Sequence, residues 1–230
     1  MTSGHGFAFP PETLEFLADL RSHNEKAWFD ANRRRYEACY VDPAKAFVLA
    51  VAPGLDAIVP GIVAEPRVLG SIFRINRDIR FSTDKRPYKD HLDMWFWQGD
   101  RKAAVSGLFL RVSPDGVIAG AGAHRFDKQQ LARFRNAVVD PIARHELDPI
   151  LAALDRAGVR VGGEIYARVP SGFTADRPLA ERLLRHSALY TQAELPAAAA
   201  TQPGFVSVVL RRWRTCAPLH RWLVDHVRSG

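Results

Sequence analysis

Between Ser71 and Lys89 the chain reads SIFRINRDIRFSTDKRPYK, and this stretch constrains the fold more than any other. Its first half alternates apolar and polar residues, the period of a strand with two unlike faces. Phe73, Ile75, Ile79 and Phe81 fall on one face, with Arg77 the odd member, and Arg74, Asn76, Asp78 and Arg80 fall on the other. A strand over 71–81 with Phe73, Ile75 and Ile79 buried is therefore expected. Two guanidiniums, an amide and a carboxylate on one face exceed what solubility asks, so the stretch points to a site. Ser82, Asp84, Lys85, Tyr88 and Lys89 follow on a turn-like segment stopped by Pro87.

The neighbouring segments extend the β pattern. His91 to Trp97, Leu108 to Val112 and Val117 to Ala121 read as strands, the last two joined by the hairpin signal Ser113-Pro114-Asp115-Gly116. A further strand is expected near 161–168, with Glu164, Tyr166 and Arg168 on one face. Helical signals lie on both sides. Pro10 and Pro11 open a helix whose buried side is marked by Leu14, Leu17 and Ala18, with Phe16 and Leu20. Asn24 has the chemistry of an N-cap for a second helix, and Asp42-Pro43 starts a third with a kink or break at Pro53-Gly54. Asp127 and Gln130 form a capping-box pattern; the helices after it are interrupted near Pro141 and Pro149 and stop at Gly158. Phe205 to Val227 reads as two helices separated at Pro218. These signals together predict an α+β fold: an antiparallel sheet centred on residues 70–123, flanked by helices, in a single domain over 1–230.

The motif R-x-N-R-D-x-R-F-S-x-D-K-x-P-Y-K resembles the signature of an uncharacterised, mostly bacterial family known only as a domain of unknown function. Arg74, Asn76, Arg77, Asp78, Arg80, Phe81, Ser82, Asp84, Lys85, Pro87, Tyr88 and Lys89 carry it. Leu14 to Glu37, Arg168 to Pro178 and Leu183 to Tyr190 are similar to the family as well, so the resemblance covers about residues 10–225. Where relatives tend to be glycine-rich, this chain has Ala121 and Ala123, and Arg177 stands where a histidine is common. The resemblance implies a family and brings no reaction, cofactor or catalytic residue.

A net charge of +7 and a pI near 9.8 suit a partner with phosphates. Only six of the 32 basic residues are lysine and the chain is alanine-rich, the mark of a GC-biased genome, so charge alone makes nucleic acid the lesser reading. No apolar run reaches the roughly 18 residues of a membrane span, and Met1 to Gly6 lacks the pattern of a signal peptide. Cys39 and Cys216 show no metal spacing and fit a reduced, cytoplasmic setting.

His91 and Asp93 share a strand face, with His124 on a neighbouring strand, yet no metal motif accompanies them and no metal is expected. No G-x-S-x-G elbow or dinucleotide fingerprint is present, and no cofactor is indicated. An anion site is the best-supported chemistry. On a straight strand Arg74 and Arg80 stand roughly 20 Å apart, so one small phosphate cannot bridge them. If the chain turns back after Ser82, Arg80, Lys85 and Lys89 form the better cluster. In this reading Asn76 and Ser82 complete the ligand set, Asp78 orients the arginines and Tyr88 donates a hydrogen bond. Asp78 and His124 are the candidate proton-transfer groups. The expected function is a cytoplasmic protein holding a phosphorylated or carboxylated small molecule in an Arg/Lys-lined cleft. Two alternatives stand beside it: a nucleic-acid or protein-binding module with Trp95 and Trp97 as stacking platforms, and a structural ion-pair network in which every charged group is paired internally. Oligomeric state has no sequence signal.

Overall fold

Helix α1 (Pro11–Ser22) begins at the expected proline pair and buries Phe16, Leu17 and Leu20, while Leu14 is half-buried and Ala18 exposed. The computed structural model to which it belongs describes residues 6–228. Helix α2 (Lys26–Ala31) is capped at Glu25, and Asn24 is not its N-cap. Helix α3 (Arg33–Tyr36) runs through a π-helical turn, Glu37–Val41, into α4 (Asp42–Ile58). By length and composition alone Arg33–Ile58 would suffice to cross a membrane. Its Phe47, Val48, Val51 and Leu55 are nonetheless wholly buried, with Phe47 packed between Phe9 and Phe205 at centroid distances of 5.5 and 5.8 Å. That is the behaviour of a core helix.

The prolines break fewer helices than their positions suggest. Pro53 lies inside α4, Pro149 inside α6 (Pro141–Arg156) and Pro218 inside the single helix α8 (Phe205–Val227). A proline leaves the carbonyl four residues back without its donor. Those carbonyls belong to Leu49, His145 and Arg214, all exposed residues rather than core ones, and the helices continue. Of the four prolines expected to interrupt a helix, Pro141 alone marks a boundary, at the start of α6 after α5 (Lys128–Val139). Both arms of the Asp127–Gln130 capping box are formed.

The sheet has six strands: β1 (Ile62–Val63), β2 (Leu92–Gln98), β3 (Gly107–Ser113), β4 (Gly116–Ala123), β5 (Arg160–Glu164) and β6 (His186–Leu195). It is antiparallel, in the order β1-β2-β3-β4-β6-β5, and with its flanking helices it makes the expected α+β fold. Strand β6 was not anticipated, although Leu189, Thr191 and Ala193 alternate with Tyr190, Gln192 and Glu194. β5 ends at Glu164, where the register slips beside Gly163, so Tyr166 and Arg168 do not continue its face.

Residues 71–81 correct the leading expectation, for they form no strand. They run as the outgoing limb of an extended arm that returns through residues 87–95. Isolated bridges pair Asn76 with Tyr88 and Ile72 with Met94. Ile75 is buried and Phe73 and Ile79 are half-buried, but Phe81 is 95% exposed. The cause is local. Asp78 accepts from the Arg80 backbone N–H and Asp84 from that of Arg86, taking donors a ladder would need.

The chain divides into two compact units. The first runs through Phe96 and includes Phe109–Ile118 and Glu194–Arg211. Its core is aromatic, from Phe9, Phe47 and Phe205 to Phe16, Tyr36 and Tyr40. The second comprises Trp97–Leu108, Ala119–Ala193, α7 (Pro178–Leu184) within it, and the chain from Arg212. There Phe134 packs on Phe126, the Trp222 indole N–H donates to the Ala143 carbonyl at 2.8 Å, and His220 lies between Ser106 and Gln98.

Candidate functional site in the first unit

Alternation along β2 and β3 gives this unit one tightly buried sheet face and one more open face. Leu92, Met94 and Phe96 with Leu110 and Val112 are buried; Asp93 and Trp95 with Phe109, Arg111 and Ser113 stand on the other side. The arm is laid beside β2 by two backbone bonds, Phe73 N–H to the Asp93 carbonyl and Trp95 N–H to the Ser71 carbonyl. Lys89 thereby stands at the foot of the arm, two alternations before Asp93.

Asp93 is the hub. Its carboxylate is 18% exposed and accepts from Arg111 Nε at 2.7 Å and Nη2 at 3.2 Å. His91 Nε2 lies 3.1 Å from it and Lys89 Nζ 3.6 Å. The other ring nitrogen of His91 is 3.2 Å from Asp90, which accepts from Arg21 Nε at 2.8 Å. Arg21 also makes a forked pair with Asp115, at 2.8 and 2.6 Å. Burial acts to raise the Asp93 carboxyl, but hydrogen bonds from His91 and Arg111 overcome it and hold the group well below the ordinary carboxylate range. Asp90 is held down in the same way by Arg21 and His91 against its own burial. The result is one continuous chain of ion pairs and hydrogen bonds from Asp115 to Lys89.

Part of this chain walls a cleft of about 640 Å³. Arg21, Arg86, Arg111 and His91 line it, together with Asp90, Asp115 and Glu194. A guanidinium carries more N–H donors than the carboxylate bonds seen here occupy, so each arginine retains donors. Among the described residues no group of three or more His, Cys, Asp and Glu side chains is placed to hold a metal ion.

The sequence-expected ligand set is divided by the fold. Asp78 holds Arg80 through a fork at 3.0 and 2.7 Å, and Asp84 holds Arg86 likewise while also pairing with Arg77 at 2.7 Å. Lys85 donates to the Ile79 carbonyl at 3.1 Å. Arg80 and Lys85 therefore serve the tip of the arm, and Lys89 turns the other way, toward Asp93. Asn76 and Arg74 are exposed and Ser82 is half-buried. Tyr88 is not poised as a donor on the surface: its ring is buried against Phe29 at 4.2 Å, and Asn24 clamps its backbone N–H and carbonyl at 3.0 and 3.1 Å. His124, at the end of β4 in the second unit, lies against Tyr190 at 4.6 Å. Trp97 is buried and cannot stack on a nucleobase. Arg21, Asp90, Arg111 and Asp115 were missed, because no local pattern links positions that only the sheet and α1 bring together.

Arg80 is 76% exposed and its ion pair spans two residues of one loop. Arg80→Ala is accordingly expected to leave the thermal midpoint essentially unchanged. A marked drop on differential scanning calorimetry would show that the arm tip carries more of the fold than its exposure implies.

No curated protein and no solved structure matches the chain. A family model described as conserved hypothetical protein (DUF2461) matches residues 12–222, which include all but the first residue of α1, the arm and all of β1–β6. The chain belongs to this conserved hypothetical protein family.

Proposed function

We propose that the protein binds an anionic small molecule, phosphorylated or carboxylated, in the cleft walled by Arg21, Arg86, Arg111 and His91. The observation that carries this reading is the convergence of three guanidiniums on one cleft, each held by a carboxylate: Arg86 by Asp84, Arg111 by Asp93, and Arg21 by Asp90 and Asp115, which line the cleft with it. Preorganised arginines bind oxyanions through charge-assisted, often forked hydrogen bonds. The volume is that of a metabolite site. Asp115 and Glu194 on the same walls favour a ligand that also offers hydrogen-bond donors, such as hydroxyls or an amine. The free thiols of Cys39 and Cys216 fit action in a reducing cytoplasm.

Thermal unfolding against phosphate, sulfate and small carboxylates at low ionic strength tests this. The wild-type midpoint is expected to rise with ligand, by an amount equivalent to about 2.7 kcal/mol at a hundredfold excess over Kd. Arg86→Gln, at an exposed position, is expected to abolish most of that rise without lowering the ligand-free midpoint. No rise with any anion, or an equal rise in the variant, would overturn the reading. Phe81, exposed beside Arg80 at 5.8 Å, favours nucleic acid as the second reading. Its mark would be single-strand binding that weakens steeply with salt and is lost in Phe81→Ala.

A further inference from the structure

The three arginines of the cleft are held in two different ways. Arg86 and Arg111 are gripped side-on, through Nε and Nη2, by Asp84 and Asp93. Arg21 places only its Nε on Asp90, at 2.8 Å, and its two terminal nitrogens both donate to the carboxylate of Asp115, at 2.8 and 2.6 Å. Two parallel bonds from one guanidinium are the means by which arginine recognises a carboxylate ligand. The two partners of Arg21 are not alike. The Asp90 side chain is 24% exposed and lies 3.2 Å from His91 as well. The Asp115 side chain is 74% exposed and, among the described residues, bonds to Arg21 alone. An ion pair that exposed adds little to a fold. The turn between β3 and β4 does not depend on it either. Ser113 donates to the Gly116 carbonyl at 2.9 Å, and the Leu195 carbonyl packs on Gly116 so closely that an added Cβ would lie 3.1 Å from it. Releasing Asp115 from Arg21 therefore takes one side-chain rotation and leaves the turn in place.

We propose that Asp115 is a resident stand-in for the ligand's own carboxylate, which takes its place on the terminal nitrogens of Arg21. This rests on the anion-binding reading above and narrows the ligand to carboxylic acids. Shape and charge set the class. A carboxylate lies in the guanidinium plane with both oxygens on the fork. A tetrahedral phosphate or sulfate carries further oxygens out of that plane, into a cleft whose walls already hold the carboxylates of Asp90, Asp115 and Glu194. The exchange conserves pairing, because one carboxylate replaces another and Asp90 keeps Arg21 in position throughout. Once released, Asp115 remains at the wall as an acceptor for a hydroxyl or amine of the same ligand. The resident carboxylate also competes with the ligand, and that competition is what an experiment can read.

Isothermal titration calorimetry of the full chain with succinate, at neutral pH and low ionic strength, tests the proposal. Succinate carries no hydrogen-bond donor at that pH, so it reports the fork and not the acceptors around it. Asp115→Asn keeps a residue that suits a turn. It is expected to bind succinate about fivefold more tightly than wild type, the factor by which an exposed forked pair occupies the arginine. Its ligand-free thermal midpoint should stay close to that of wild type. Sulfate should gain less than succinate from the same substitution. Glu194→Gln removes the same charge from the cleft but not from the fork, and its gain should also be smaller. Arg21→Lys keeps the charge without the fork, and should bind succinate more weakly than wild type. Succinate bound no more tightly by Asp115→Asn than by wild type would overturn the stand-in and leave the anion reading standing. Equal gains in Asp115→Asn and Glu194→Gln would overturn it as well, since relief of charge repulsion would then suffice. Equal gains for sulfate and succinate would overturn the restriction to carboxylates. Binding of neither anion, by wild type or by Asp115→Asn, would overturn the stand-in together with the reading on which it rests.

Discussion

Asp93→Asn is expected to destabilise the fold by roughly 3–5 kcal/mol, the usual result of removing one partner from a buried charge network. Lys89, His91 and Arg111 all turn toward this carboxylate, and the carboxamide that replaces it carries no charge to offset those of Lys89 and Arg111. Lys89→Met should cost far less, under about 1 kcal/mol, because Asp93 keeps Arg111 and His91 while an awkwardly desolvated ammonium is removed. The contrast between the two variants in urea unfolding is the measurement; equal losses would show that Asp93 is not the hub. The pH dependence follows from the same group. A carboxyl whose folded pKa lies below its unfolded value stabilises the fold fully above the unfolded value, about 3.9. That stability drains as pH falls through the depressed folded value. Asp93 and Asp90 are both of this kind. Wild type is therefore expected to lose stability steeply below about pH 4, and Asp93→Asn to show a shallower acid slope.

Gly122→Ala is the other large effect expected, on the order of 4 kcal/mol or more. Gly122 in β4 has a φ of +130°, and an added Cβ would stand 2.3 Å from the Leu189 carbonyl oxygen and 2.6 Å from the Tyr190 Cα. Both obstacles are backbone of β6, so no side-chain rotation relieves them, and the left-handed φ penalises alanine besides. Gly99 is the control. Its φ is +68° but nothing lies within 4 Å of an added Cβ, so Gly99→Ala should cost only about 1–2 kcal/mol. Chemical unfolding of both variants separates strain from collision. Equal losses would mean that the β4–β6 approach is looser than these distances.

Signals that act over a few residues were legible in the sequence. The Asp127–Gln130 capping box, the Pro10-Pro11 helix start, the Ser113–Gly116 hairpin and the α+β class all follow from local geometry or from periodicity within one element. The polar wealth of the arm was equally visible, and Arg74, Asp78, Arg80, Lys85 and Lys89 are there to be read. Tertiary structure decided what those charges face. Short Asp-x-Arg contacts at 78–80 and 84–86 draw off backbone donors, so the arm stays irregular and most of its tip charges satisfy one another. Lys89 alone of the arm's basic residues turns inward, because the Ser71–Trp95 and Phe73–Asp93 backbone bonds hold the foot of the arm against β2. The cleft needs Arg21 from α1, Asp90 from the end of the arm, Arg111 from β3 and Asp115 from the hairpin turn. Up to 94 positions separate these partners, as between Arg21 and Asp115, and no residue period spans that distance. Charge pairing at that range exists only after the sheet has formed, since Coulomb attraction between solvated side chains on an unfolded chain is screened within about 10 Å.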